Sequence, residues 1–130
     1  MLKLLLRIAA TLQIALGAAY LILPGPFLKV IGHSVAAPDL FYPLGMLSSR
    51  FLVYGLGLWI ASFHPARHVL WIRLMACIQA IDFLVGIAYT AKGIVPLSLS
   101  GFAMFNALWI GLTLGLMRIE RPELSERAHA

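Results

Sequence analysis

Four runs of about twenty apolar residues fill most of this sequence, and they leave it few ways to fold. A helical residue rises about 1.5 Å and the hydrocarbon core of a bilayer is about 30 Å thick, so about twenty apolar residues make one crossing. The runs extend from about Leu4 to Leu23, Pro43 to Phe63, Val69 to Tyr89 and Ser98 to Met117. Proline and glycine punctuate the gaps: Pro24-Gly25-Pro26, Pro38, Pro43, Pro65, Pro96 and Pro122. Such residues mark helix ends. Of the 130 residues, 62% are hydrophobic and 12% charged, about half the charge of a soluble domain. A soluble fold could not cover so much apolar surface, whereas lipid requires no cover. The expected fold is therefore an all-α integral membrane four-helix bundle, a single four-span domain over residues 1–130. A cleaved signal peptide is an alternative for the first run, since Lys3 and Arg7 precede it and Gly17-Ala18-Ala19 lies near its end. Its continuation through Leu23 is long for that role.

Basic residues set the expected orientation. With the N-terminus inside, the cytoplasmic side holds Lys3, Arg7, Arg67, Arg73, Arg118, Arg121 and Arg127, and the other side Lys29, Arg50 and Lys92. Both termini are thus expected in the cytoplasm, with a polar, frayed tail from Glu120 to Ala130. The net charge of +5 lies at the ends of apolar runs and not on a water-facing stripe, which argues against nucleic acid as a partner. In the longest loop, Phe27 to Ile31 is expected to lie flat at the interface, with Phe41 and Tyr42 as anchors. The short turn around Pro65-Ala66-Arg67 predicts that spans two and three are antiparallel neighbours. A weak repeat joins Gly17-Ala18-Ala19-Tyr20 to Gly86-Ile87-Ala88-Tyr89, and Gly57 to Ala61 with Ala107 to Gly111.

Helices in lipid associate through close packing of small residues. Ala103, Ala107, Gly111 and Gly115 form one stripe of span four, and Gly57 and Ala61 repeat the spacing in span two. The stripe serves either packing within the chain or a homodimer seam. Cys77, the single cysteine, reads as a small buried packing residue.

Ionisable residues inside a span cost roughly 2.5–3.5 kcal/mol on insertion scales and are usually paired or functional. Arg50 in span two and Asp82 in span three each fall about 10 Å below the outer boundary, and an ion pair between them is expected. Asn106 and Gln13 fall about 12–13 Å down, so every span brings a polar side chain to one layer. Gln79, Asp82, Gly86 and Tyr89 share a face of span three; Arg50, Tyr54, Gly57 and Ala61 one of span two; Gln13, Gly17 and Tyr20 one of span one. The layer is either a closed network that fixes helix register or the lining of a small polar pocket. His64 and His68 are four apart, but Pro65 interrupts any helix between them, so no metal site is expected. No phosphate loop, nucleophile motif or cysteine pair is present, so no cofactor is expected and catalysis has little support.

Leu23-Pro24-Gly25-Pro26-Phe27, then Ser49-Arg50, then Val53-Tyr54-Gly55-Leu56-Gly57-Leu58, and a third span with an internal Asp, resemble the small bacterial membrane proteins of the BphX-like and DoxX-like kind. The resemblance is diffuse and runs to about residue 117. It implies a four-helix bundle in a bacterial inner membrane and little about chemistry; some relatives are tied to aromatic-compound degradation or to sulfur oxidation with quinone. The leading expectation is a polar layer built on Arg50 and Asp82 that binds a small hydrophobic or amphipathic molecule. Gln79, Asn106, Gln13, Tyr54, Tyr89 and Tyr20 would supply hydrogen bonds. The rivals are an accessory subunit of a larger membrane complex and a membrane subunit of a quinone-linked oxidoreductase.

Overall fold

A computed structural model describes residues 1–34 and 37–119, and their regular structure is entirely helical. The order is α1 (Leu2–Ile22), α2 (Pro24–Val30), a 3-10 turn (Pro38–Leu40), α3 (Phe41–Ala61), a second 3-10 turn (Pro65–Arg67), α4 (Val69–Ala91) and α5 (Leu97–Leu116). Four segments, Leu2–Ile22, Pro38–Ala61, Val69–Ala91 and Leu97–Leu116, are long and apolar enough to cross a membrane. They fall on the four apolar runs. The second starts before Pro43, which sits in the first turn of α3, where a missing N–H costs nothing. Expectations for the tail from Glu120 onward lie outside the described residues.

The helices alternate in direction, so α1 begins and α5 finishes at one end of the bundle, termed the terminal end, together with the Pro65–Arg67 turn. The opposite end carries α2. Two hairpins make up the bundle. α1 packs along its length on α3, and α4 on α5, while the hairpins meet each other over a much smaller area. The short turn between α3 and α4 led us to expect close neighbours there; the structure places the closest approaches elsewhere. A β-carbon at Gly17 would stand 3.0 Å from both Leu52 N and Ser48 O, and one at Gly55 would stand 2.9 Å from Ala10 O. Backbone thus lies on backbone across α1 and α3. Between α3 and α4, by contrast, the Trp71 ring occupies the space over Gly57, and an indole in the seam keeps the two backbones apart.

The packed core is confined to the terminal end. Leu6, Ala9, Ala10, Leu58, Ala61, Ile72, Met75, Ile110 and Leu114 form one fully buried cluster drawn from all four long helices. Arg73 closes this end: its guanidinium donates to the carbonyls of Leu114 (2.9 Å), Gly115 and Met117 (3.0 Å). These are the carbonyls that a helix end leaves without intrahelical partners, and a cation there also meets the negative end of the helix dipole. Arg7 donates to Ser62 Oγ at 3.3 Å and lies 5.5 Å over the Phe63 ring, tying α1 to the end of α3.

At the other end α2 folds back onto the bundle. Phe27 meets Tyr20 edge-on at 4.9 Å, and Tyr20 stacks on Phe51 at 6.1 Å. Gly93 takes a φ of 68°, a left-handed conformation that ends α4 and lets Ile94 N donate to Tyr89 O at 3.1 Å. The hydroxyls of Thr90 and Ser100, 2.7 Å apart, join the tops of α4 and α5.

Candidate functional site: a crevice between two hairpins

Because the core fills only the terminal end, the two hairpins part toward α2, and the space between them holds two adjoining cavities. The smaller, about 230 Å³, lies between α1, α3 and α4 and is lined by Gln13, Arg50, Tyr54, Gln79 and Asp82 among others. The larger, about 410 Å³, reaches from Gln13, Gln79, Asp82 and Asn106 up to Tyr20, Phe27 and His33 at the α2 end. Gln13, Leu47, Phe51, Gln79 and Asp82 line both. Met75 at the floor of the smaller cavity belongs to the buried apolar cluster, so the crevice stops at the core.

The polar layer sits near mid-helix, with Gln13, Arg50, Gln79, Asp82 and Asn106 each close to the centre of its own helix. It is somewhat deeper than the sequence led us to expect, because α3 starts at Phe41 and α4 continues to Ala91. The expected Arg50–Asp82 ion pair is not formed: both side chains line the smaller cavity, but no ion pair with N···O within 4.0 Å joins them. The spacing of the hairpins accounts for this, since α3 and α4 are held apart by Trp71 over Gly57.

The two glutamines behave differently from the charges. Gln13 and Gln79 are almost wholly buried, at 1% and 2% exposure. Gln13 Oε1 accepts no hydrogen bond from the described residues. Leaving a buried acceptor unsatisfied costs about 1–3 kcal/mol; the Gln13 side chain borders both cavities, but this oxygen exposes almost no surface to them. Asn106 Oδ1 accepts from Trp109 Nε1 at 3.1 Å, one turn along the same helix.

Of the residues singled out from sequence, Tyr54 lines the smaller cavity and Tyr20 and Asn106 the larger. Tyr89 joins neither. It occupies the last turn of α4 and is half-exposed. Ten residues separate it from Gln79, which rotates it about 80° from Gln79 round the helix axis. The small stripe of α5 turns partly inward: β-carbons at Gly111 and Gly115 would lie 3.3 Å from Gln79 Cβ and 3.8 Å from Ala76 Cβ, and Ala107 is buried. Ala103 instead borders the larger cavity. Gly57 lies under Trp71, and Ala61 is in the core. Cys77 is exposed on α4, contrary to the expectation of a buried packing residue. Its neighbours Ile78 and Ala76 take the inward positions, leaving the thiol on the outer face of the bundle.

Sequence reasoning missed Gly55, whose contact with Ala10 and Ile14 is among the closest in the bundle, and Arg73 as a helix cap. The signal for Gly55 was its place within a glycine-bearing helix; which of Gly55 and Gly57 met a backbone was not legible. Phe27, Phe51, Leu99 and Phe102, which give the larger cavity its apolar wall, were also not foreseen as site residues. Comparisons of the chain with protein families, with curated proteins and with solved structures found no match.

Proposed function

We propose that this is a membrane protein that holds a small hydrophobic or amphipathic molecule in the crevice between its hairpins. The observation that carries this reading is the pair of opposite charges, Arg50 and Asp82, which line one cavity from two helices without an ion pair between them. A closed structural network would satisfy its own members. A binding site leaves acceptors and charges uncommitted until the ligand arrives.

The excess of Lys and Arg toward the terminal end supports a cytoplasmic location for that end. The crevice would then open toward the outer leaflet of a bacterial inner membrane, with the apolar cluster as its floor. That floor favours binding, or one state of a carrier, over an open pore. The resemblance to BphX-like and DoxX-like proteins is retained as a proposal consistent with four helices and an arginine early in the second. The inward turn of Gly111 and Gly115 removes part of the surface through which an accessory subunit would dock.

Native mass spectrometry of the protein extracted gently from its own membrane tests the reading. A small molecule retained by the protein and lost from Arg50→Ala is the expected result. A stoichiometric protein partner with no small molecule would replace this reading with that of an accessory subunit.

A further inference from the structure

The polar groups left open in the crevice specify more than an amphipathic ligand. Resting on the pocket reading above, we propose that the ligand is a small zwitterion, with one anionic group, one primary ammonium and an apolar body such as an aromatic or branched side chain.

Two groups carry the argument. Arg50 is a permanent cation with no carboxylate partner among the described residues, on the α3 side of the smaller cavity. Asp82 faces the same cavity from α4 and is equally without a cation among the described residues. An anion alone would satisfy Arg50 and repel Asp82; a cation alone would do the reverse. A molecule bearing both neutralises each in place and brings no net charge into the membrane, where uncompensated charge is costly. A primary ammonium has N–H donors to give to the Asp82 carboxylate. A quaternary ammonium has none. The apolar body has its own compartment in the larger cavity, walled by Phe27, Phe51, Leu99 and Phe102.

A zwitterionic lipid headgroup carries the same charges, but the geometry opposes it. The polar layer is at mid-helix and the apolar compartment lies between it and the α2 end, so a lipid bound this way would stand inverted in its leaflet. A small solute entering from the α2 end has no such constraint.

The test is a binding titration of the protein in non-ionic detergent micelles with six probes. Phenylalanine and its β-homologue carry both charges and a ring. 3-Phenylpropanoate, phenethylamine and N,N,N-trimethylphenylalanine each lack one of the required groups, and glycine lacks the ring. The better of the first two should bind at least about tenfold tighter than the other four, the gain expected from one charge-assisted hydrogen-bonded contact. Asp82→Asn should erase the preference for the primary over the trimethylated ammonium. Arg50→Gln should erase the preference for phenylalanine over phenethylamine and serves if Asp82→Asn does not fold. Equal binding of all six, or of the ring compounds regardless of charge, overturns the zwitterion while leaving an apolar pocket standing. Glycine binding as well as phenylalanine overturns the apolar body. Tighter binding by decylphosphoethanolamine, run as a seventh probe, overturns the small solute in favour of a lipid. No binding by any probe, together with no bound molecule in the native extract, overturns both the ligand class and the pocket.

Discussion

At the scale of single residues, two buried polar atoms lack a hydrogen-bond partner among the described residues, Gln13 Oε1 and Trp71 Nε1. Gln13 is the clearest case, a buried amide oxygen with no donor. Replacing it by an apolar residue of similar size removes that cost. Gln13→Leu should therefore raise the stability of the ligand-free protein by about 1–3 kcal/mol, measured by thermal unfolding in detergent. Loss of stability in Gln13→Leu would mean that the amide is already satisfied by bound water. Arg73 is the opposite kind of residue, fully engaged and structural. Its guanidinium holds the carbonyls of Leu114, Gly115 and Met117. Arg73→Ala should cost about 1.5–3 kcal/mol with ligand affinity unchanged in the folded fraction, and Arg73→Lys should recover only part of it, since a single ammonium cannot span three acceptors as a planar fork does.

At the scale of elements, glycine decides which helices pair. Gly17 and Gly55 let α1 and α3 approach until backbone meets backbone, whereas Gly57 receives a tryptophan ring. Packing of this kind, not burial of leucine, drives helix association in lipid. Gly17→Ala and Gly55→Ala should each destabilise by about 1–3 kcal/mol, because the neighbouring atoms at 3.0 Å and 2.9 Å are backbone and cannot swing aside. Gly45→Ala in α3 meets none of the described residues within 4 Å and should be neutral or stabilise by about 0.5–1 kcal/mol. Thermal melts of the three variants in one detergent check the order; equal effects at all three sites would remove the special status of the α1–α3 seam.

At the scale of the whole molecule, the bundle is solid at one end and parted at the other. Leu6, Leu58, Ile72, Met75, Ile110 and Leu114 close the terminal half, and the cavities occupy the rest. Accessibility should follow that gradient. In a Cys77→Ser background, cysteines placed at Arg50 and Tyr20 should react with a membrane-impermeant thiol reagent added on the α2 side. Cysteines at Met75 and Ile110 should not react from either side. Labelling at Met75 would show that the apolar floor opens, which would make the crevice part of a pathway and not a closed site. The native Cys77 faces outward from α4, so in a bilayer it should resist charged reagents and react once detergent gives them access.

Much of the fold was legible in the sequence. Hydrophobic run length, proline punctuation and the rise of a helix determine four long apolar helices and their ends within a few residues, because these are local properties of the chain. The depth of the polar residues was legible for the same reason: residues near the centre of long apolar runs must lie near one layer. What only the tertiary structure decided is lateral. Which glycine meets a backbone, which helix pairs with which, and whether Arg50 reaches Asp82 depend on rotation about helix axes and on the side chains that separate them. The turn at Pro65–Arg67 makes α3 and α4 adjacent in sequence, yet Trp71 over Gly57 keeps them apart. That separation leaves the Arg50 and Asp82 charges unjoined, and so converts a row of polar residues into a crevice.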